Sequence, residues 1–339
     1  MNILGLLRSS GLYDLDACQY YRAFLPLNKI DHSEAARAKC ITTPDTVAAT
    51  DADLKGRDLY VISRMYGPTD KLIAFVEWIH DNGGRLVFDA DDDLTERYRL
   101  VSGRGDKFIE ALGMVDYVTT TTPYLADYFS QWTQNEPVVL PNHLDCEWFV
   151  RAISTAKRAF PGYAIGFSGS PTHWGDWYTA APAFSRIAEE YSHIVQPLAQ
   201  GDPPSYLNFV DRLIKLPAAP YCGYPLALAQ FDVVLCAVDG RDPFNLGKSN
   251  VKPLEVMMAG ALPICSRFVP YVDLYERGAP IKLVEEDSVD GWYEAMQWAV
   301  DNREEVDYMS GSGASWVAEH YDMASGYKLW LKAYEGFVD

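Results

Sequence analysis

An α/β protein built from two doubly wound parallel sheets is predicted by three features of the sequence. Short apolar runs rich in β-branched residues alternate with amphipathic stretches of helical period. The alternation breaks once, over the proline-bearing and periodless Pro141–Tyr163, and then restarts. The chain has 339 residues, long for one compact unit and comfortable for two.

In the first half, strands are predicted at Ile3–Leu7, Asp58–Ser63, Arg85–Asp89, Val115–Thr120 and Pro137–Leu140. Between them, Thr69–Asn82 places Leu72, Phe75, Val76 and Ile79 on one helical face and stops at Gly83-Gly84. A second helix, Pro123–Trp132, follows a run of threonines able to cap it. Beyond the break, strands are predicted at Ala164–Ser168, His193–Leu198, Arg212–Leu216, Phe231–Ala237 and Leu262–Ser266. Helices are predicted at Asp176–Tyr191, Pro225–Gln230 and Lys252–Ala259, and the tail from Ser288 reads as mostly helical.

Composition narrows the functional classes. Hydrophobic residues make up 48%, enough for real cores. A formal net charge of -18 repels phosphate backbones and anionic lipid heads, which disfavours broad nucleic-acid or membrane-surface binding but leaves room for a local basic site. No stretch approaches the roughly 20 apolar residues that span a bilayer. The N-terminal MNILGLLRSSG has no basic lead and no small-residue cleavage site, and reads as a first strand. Six cysteines are scattered without a CxxC pair, and there is no HExxH or zinc-ligand spacing. A reduced, cytoplasmic protein is expected.

The chemistry concentrates in Phe231–Ser266, FDVVLCAVDGRDPFNLGKSNVKPLEVMMAGALPICS. A buried strand runs into a Gly/Asp/Pro/Asn loop, then into a helix beginning near Asn250. Open α/β sheets bind ligands outside the carboxyl ends of their strands, where this loop must lie. A helix start offers backbone N–H groups and a positive dipole end to a diphosphate. Lys248 and Lys252 flank that start, with Ser249 and Asn250 between them, and can offset charge on a departing nucleoside diphosphate. Glu255 lies one turn further in, where a carboxylate can hold two ribose hydroxyls. Lysines on a solvated loop are the plainer alternative.

This segment resembles the donor-binding region of retaining GT-B glycosyltransferases of the large family four. In that family a Glu one turn into the helix, followed by a small-residue AxG-xP turn, grips the nucleotide ribose. Glu255, Ala259-Gly260 and Leu262-Pro263 occupy those places. The family's usual earlier glutamate, eight residues before, is Gly247 here, so its contact to the sugar hydroxyls has no counterpart at that position. Asp239 or Asp242 are candidate replacements. The FNxGKSNVKPLE form resembles a variant branch of bacterial and phage glycosyltransferases. The resemblance implies two Rossmann-like domains facing across a cleft: 1–145 for the acceptor, 160–318 for the nucleotide-sugar donor, and 319–339 as a helix packing back on the first. Trp330, Leu331 and Tyr334 would be its buried face.

Other motifs take their expected roles from the same resemblance. Tyr163–Trp177 is a strand ending at Gly169-Ser170, which would lie close to the donor phosphates with His173; a turn glycine and a capping histidine are the plainer readings. Gly11, after the first strand, would let a loop approach the phosphates. Tyr20, Tyr21 and Arg22, with Pro26, resemble a YR…P signature on the acceptor side, while for the tyrosines alone core packing is the better reading. Arg64, ending another strand, is a further acceptor-side candidate. Asn142, in a PNG-xD-like turn, shapes the chain.

The acidic cluster of RLVFDADDDL admits three readings: a metal-bridging DxD, a set of helix-capping acids, or contacts to acceptor and reacting sugar. The third is preferred, with Asp91 and Asp92 as candidates and Asp89 structural, because GT-B enzymes generally need no metal. The implied activity is transfer of a sugar from a nucleotide-sugar donor to an acceptor hydroxyl, with retention of anomeric configuration and no cofactor. The acceptor is left open: a glycan, a small molecule or, against the charge, a modified DNA base. A catalytically silent sugar-nucleotide-binding module is the alternative that Gly247 raises.

Overall fold

The computed structural model describes residues 1–8, 15–43, 54–63, 70–93, 95, 105–170 and 173–338. Contacts divide the chain into two compact units. The first comprises Met1–His143, Pro243–Ser249 and Met323–Asp339; the second comprises Leu144–Asp242 and Asn250–Asp322.

The first unit holds a six-stranded parallel sheet. Its strands are β1 (Asn2–Arg8), β2 (Arg37–Thr43), β3 (Leu59–Ser63), β4 (Arg85–Ala90), β5 (Tyr117–Thr120) and β6 (Val138–Val139), in the order β2-β1-β3-β4-β5-β6. Strand β3 is buried at every residue, as a central parallel strand covered on both faces must be. Leu4, Leu6, Tyr60, Ile62, Leu86 and Phe88 meet Phe75, Val76 and Ile79 of α3 (Asp70–Asp81) in one core. Against the sheet also lies a helical run of α1 (Ala17–Gln19), a π-helical turn Tyr20–Phe24 and α2 (Leu25–His32). Where it crosses β1, a Cβ on Gly5 would stand 2.6 Å from Leu27 Cδ1, so the close approach requires glycine.

The second unit repeats the plan with β7 (Tyr163–Ser168), β8 (Val195–Gln200), β9 (Ile214–Leu216), β10 (Val233–Cys236), β11 (Leu262–Cys265) and β12 (Lys282–Leu283). The order is β12-β11-β10-β7-β8-β9, again all parallel. Winding reverses between β7 and β10, so the carboxyl ends of those two strands form the topological switch point of this sheet. Ile165, Phe167, Trp177, Phe184, Leu235 and Trp292 lie at the centre of its core.

Several expectations change. The segment Pro141–Tyr163 is not all linker: α6 (Cys146–Ile153) forms there, with Asp145 accepting from Trp148 N and Phe149 buried. The helix expected over Asp176–Tyr191 is two pieces, Trp174–Trp177 and Ala181–Glu190, with Pro182 in the first turn of the second. Strand β2 was not anticipated. It is an edge strand whose exposed Arg37 and Lys39 mask the apolar signal. The closing helix Met323–Val338 belongs to the first unit and buries Gly326, Trp330, Tyr334 and Phe337; Leu331 is only half-buried, because the stripe steps by four and then three. Among the described residues no helix is long and apolar enough to cross a membrane.

Candidate functional site

At the switch point of the second sheet, β7 ends in Ser168 and the chain turns through Gly169. Lys252, on α10 (Val251–Met258), reaches this end and donates its Nζ to Ser168 O at 2.8 Å. A Cβ built on Gly169 would lie 2.8 Å from that Nζ and 3.0 Å from His173 Cδ2. The ammonium and the imidazole edge therefore both close on the turn, and glycine is what lets them approach. Gly201, at the end of β8, packs backbone to backbone on Gly169 (a Cβ there would sit 2.0 Å from Gly169 O). Ser170 is exposed, and its carbonyl accepts from His173 N at 3.0 Å.

Asn250 is the N-cap of α10 without capping through its side chain; its Nδ2 donates instead to Tyr321 Oη at 3.3 Å. Asn250, Val251 and Lys252 are all partly exposed. One turn in, Glu255 is 6% exposed, close enough to Tyr224 that its charge acts on the phenol. Burial first, and Glu255 second, push the Tyr224 hydroxyl well above its usual range. Ser168 Oγ links this phenol, at 3.1 Å, to Gln200 Oε1, at 2.9 Å. Asp239, considered as a replacement for the missing glutamate, is held by Arg241 through two bonds of 2.8 and 3.0 Å; Arg241 also lowers its pKa.

The first unit carries the other predicted residues. Lys248 is 9% exposed and directly follows a short 3-10 segment (Pro243–Gly247), its Nζ 5.7 Å from the Phe244 ring centre. At Gly247 a Cβ would come 2.6 Å from Leu125 Cδ2 of α5 (Pro123–Ser130) and 3.5 Å from Asp93 N. The expected glutamate position is thus packed against a helix of this unit, which explains its glycine. Ser249 Oγ accepts from Asn142 Nδ2 at 3.0 Å.

Arg22 and Tyr21, expected on the acceptor side, are both buried. Arg22 is fully buried, bidentate to Asp89 at 2.9 and 2.8 Å, and donates to Asn142 Oδ1 at 3.1 Å. Its guanidinium lies 4.4 Å from the Trp330 ring centre. Asp89 also accepts from Thr119 Oγ1 at 2.6 Å; burial raises its pKa and Arg22 opposes the rise. Tyr21 is 3% exposed. Neither side chain reaches a surface where an acceptor could touch it; the π-helical turn aims both inward. Asp91 and Asp92 are partly exposed at the carboxyl end of β4, and each places an oxygen within 4.8 Å of the other and of Cys18 Sγ. One soft thiol with two hard carboxylates is a poor set for Mg²⁺ or Mn²⁺, which favour oxygen alone. Gly11 and Arg64 lie outside the described residues.

Solved structures share this architecture over its whole length. Anabaena HepE in complex with UDP and glucose aligns over 99% of this chain and 100% of its own, with a TM-score of 0.71 and 13% identity. Sucrose-phosphate synthase from Thermosynechococcus elongatus aligns over 99% of both chains, with a TM-score of 0.70 and 12% identity. An α-glucosyltransferase in complex with UDP-glucose and DNA containing an abasic site covers 98% of both, with a TM-score of 0.66 and 12% identity.

The chain has the GT-B fold.

No protein-family model matches it, and no curated protein matches it in sequence. Within this GT-B fold, three polar residues beside the predicted ones escaped sequence reasoning: Asp176, Gln200 and Tyr224. They come from different elements and share no spacing motif. Only the strand-end position of Gln200 could have marked one of them, since carboxyl ends of parallel strands are where ligands bind.

Proposed function

We propose that the chain is a nucleotide-sugar-dependent glycosyltransferase, moving a sugar to an acceptor hydroxyl with retention of configuration. One observation carries this reading: Lys252 and His173 close on the Gly169 turn at the switch point of the second sheet, with buried Glu255 one helical turn behind. The similarity to GT-B structures solved with UDP and UDP-glucose supports a UDP-hexose as the first donor to test.

In this reading Lys252, His173, Ser170, Ser249, Asn250 and the Gly169 turn bind the diphosphate, and Glu255 accepts two ribose hydroxyls. Lys248 supplies a second ammonium as the bond to the anomeric carbon breaks. The acceptor oxygen attacks that carbon on the face from which the diphosphate departs, and its proton passes to the leaving diphosphate. Asp91 and Asp92 orient the acceptor and the reacting sugar. The ammonium groups balance the charge, so the scheme requires no metal. We place the protein in the cytoplasm, in keeping with six cysteines that form no disulfide.

A panel of nucleotide sugars, screened by thermal shift and then assayed for free nucleoside diphosphate, tests the assignment. One donor should stabilise the protein and be consumed when glycans or small hydroxyl acceptors are added. Consumption only with DNA carrying modified bases would redirect the acceptor assignment. Stabilisation without turnover under any acceptor would favour the silent binding module, and neither response would remove the reading.

A further inference from the structure

Asp176 has no part in the scheme above, yet it is a carboxylate only 3% exposed, in the helical turn Trp174–Trp177 that follows the Gly169 loop. Both its oxygens are engaged: Oδ1 accepts from Asp239 N at 3.0 Å and Oδ2 stands 3.0 Å from His173 Nδ1. A carboxylate only accepts, so Nδ1 carries a hydrogen in either charge state of the ring. Any further proton goes to Nε2. That atom is bonded to Cδ2, the ring carbon 3.0 Å from the position Gly169 leaves open, beside Lys252 Nζ.

We propose that Asp176 is a positioning residue for the donor diphosphate, holding His173 so that a protonated Nε2 meets a phosphoryl oxygen next to Lys252. The inference rests on the donor assignment and deepens it. An arriving diphosphate favours a second cation beside Lys252. The buried carboxylate across the ring balances the added charge, as carboxylates do behind metal- or substrate-facing histidines. Titratable groups near this pair include, among the described residues, Asp239 with its partner Arg241, and Asp287, Tyr206 and Tyr271 around the carboxylate. The tie to Asp239 N gives the carboxylate a fixed direction from a second loop, the one after β10.

Asp176→Asn tests this because asparagine has one acceptor oxygen where aspartate has two. If that oxygen keeps the Asp239 amide, the NH₂ faces Nδ1 and opposes the doubly protonated ring. The probe is UDP, titrated calorimetrically into the full-length chain, with the ¹⁵N shifts of the His173 ring read in parallel. In the wild type, UDP should bring the ring to the imidazolium form. Asp176→Asn should prevent this and weaken UDP binding about tenfold, the scale of one charge-assisted hydrogen bond. His173→Gln should weaken it similarly, and the double variant should bind no worse than His173→Gln alone. Unchanged ring signals and affinity in Asp176→Asn, or a further loss in the double variant, would overturn the proposal. Should Asp176→Asn not fold, a wild-type ring that stays neutral with UDP bound overturns it equally. A wild type that binds no nucleoside diphosphate at all fails the donor assignment itself, a result distinct from each of these.

Discussion

Lys252 and Ser168 are joined by a hydrogen bond of 2.8 Å from ammonium to backbone oxygen, which tethers a cation at the carboxyl end of β7. A lysine on a solvated loop would sample many rotamers; this one is held where the sheet's winding reverses. Lys252→Ala should therefore weaken UDP binding and lower kcat for the donor together, the latter by about 100-fold or more. Isothermal titration and initial rates measure the two effects. A rate within a few-fold of wild type would show that the tether is structural only.

Lys248→Ala addresses the second ammonium. As a group acting on charge that develops only as the bond breaks, it should lower kcat by about 100-fold while leaving the donor KM within about threefold. Lys248 is largely buried, so its melting temperature should be recorded beside the rate. A raised KM with kcat intact would reassign it to ground-state binding.

Gly247→Glu would restore the glutamate of the resembled family. Here the new Cβ lands 2.6 Å from Leu125 Cδ2, and the carboxylate would enter a packed surface. Overpacking of this kind costs about 1–3 kcal/mol, so a melting temperature several degrees lower and no gain in activity are expected. Gly247→Glu with Leu125→Ala should recover part of the loss. A more active, equally stable single variant would mean that the position is open to the donor after all.

The Arg22–Asp89 pair is buried on both sides, with side chains 0% exposed. Removing one partner strands the other, so Arg22→Ala should cost about 3–5 kcal/mol in urea unfolding. Replacing both, as Arg22→Met with Asp89→Leu, should cost less than the single change. If Arg22→Ala were neutral in stability and raised only an acceptor KM, the acceptor role first expected for this arginine would return.

What could be read in advance follows from where the information lies along the chain. Strands such as Leu59–Ser63 and Val233–Cys236 are buried at every residue, so the apolar run itself announces them. The edge strand Arg37–Thr43 alternates charged and half-buried residues and gives no such run. The helix Cys146–Ile153 was hidden by the proline before it, though Asp145 three residues ahead of Trp148 was a capping signal in plain sight. The approach of Lys252 to the Gly169 turn was legible because a strand–loop–helix order dictates which ends meet. Asp176 was not, since its partner amide, Asp239, lies in another loop and no spacing links the two. Arg22 misled for the opposite reason: tyrosines and an arginine read alike in a core or on a surface, and Trp330, from the last helix, decides between them.

The most direct measurement is a crystal structure of the chain with UDP. The diphosphate should lie at the Gly169 turn, within hydrogen-bonding distance of Lys252 Nζ, with the ribose hydroxyls on Glu255. A nucleotide seated away from the carboxyl ends of β7 and β10, or absent from a chain shown to turn over a nucleotide sugar, would contradict it.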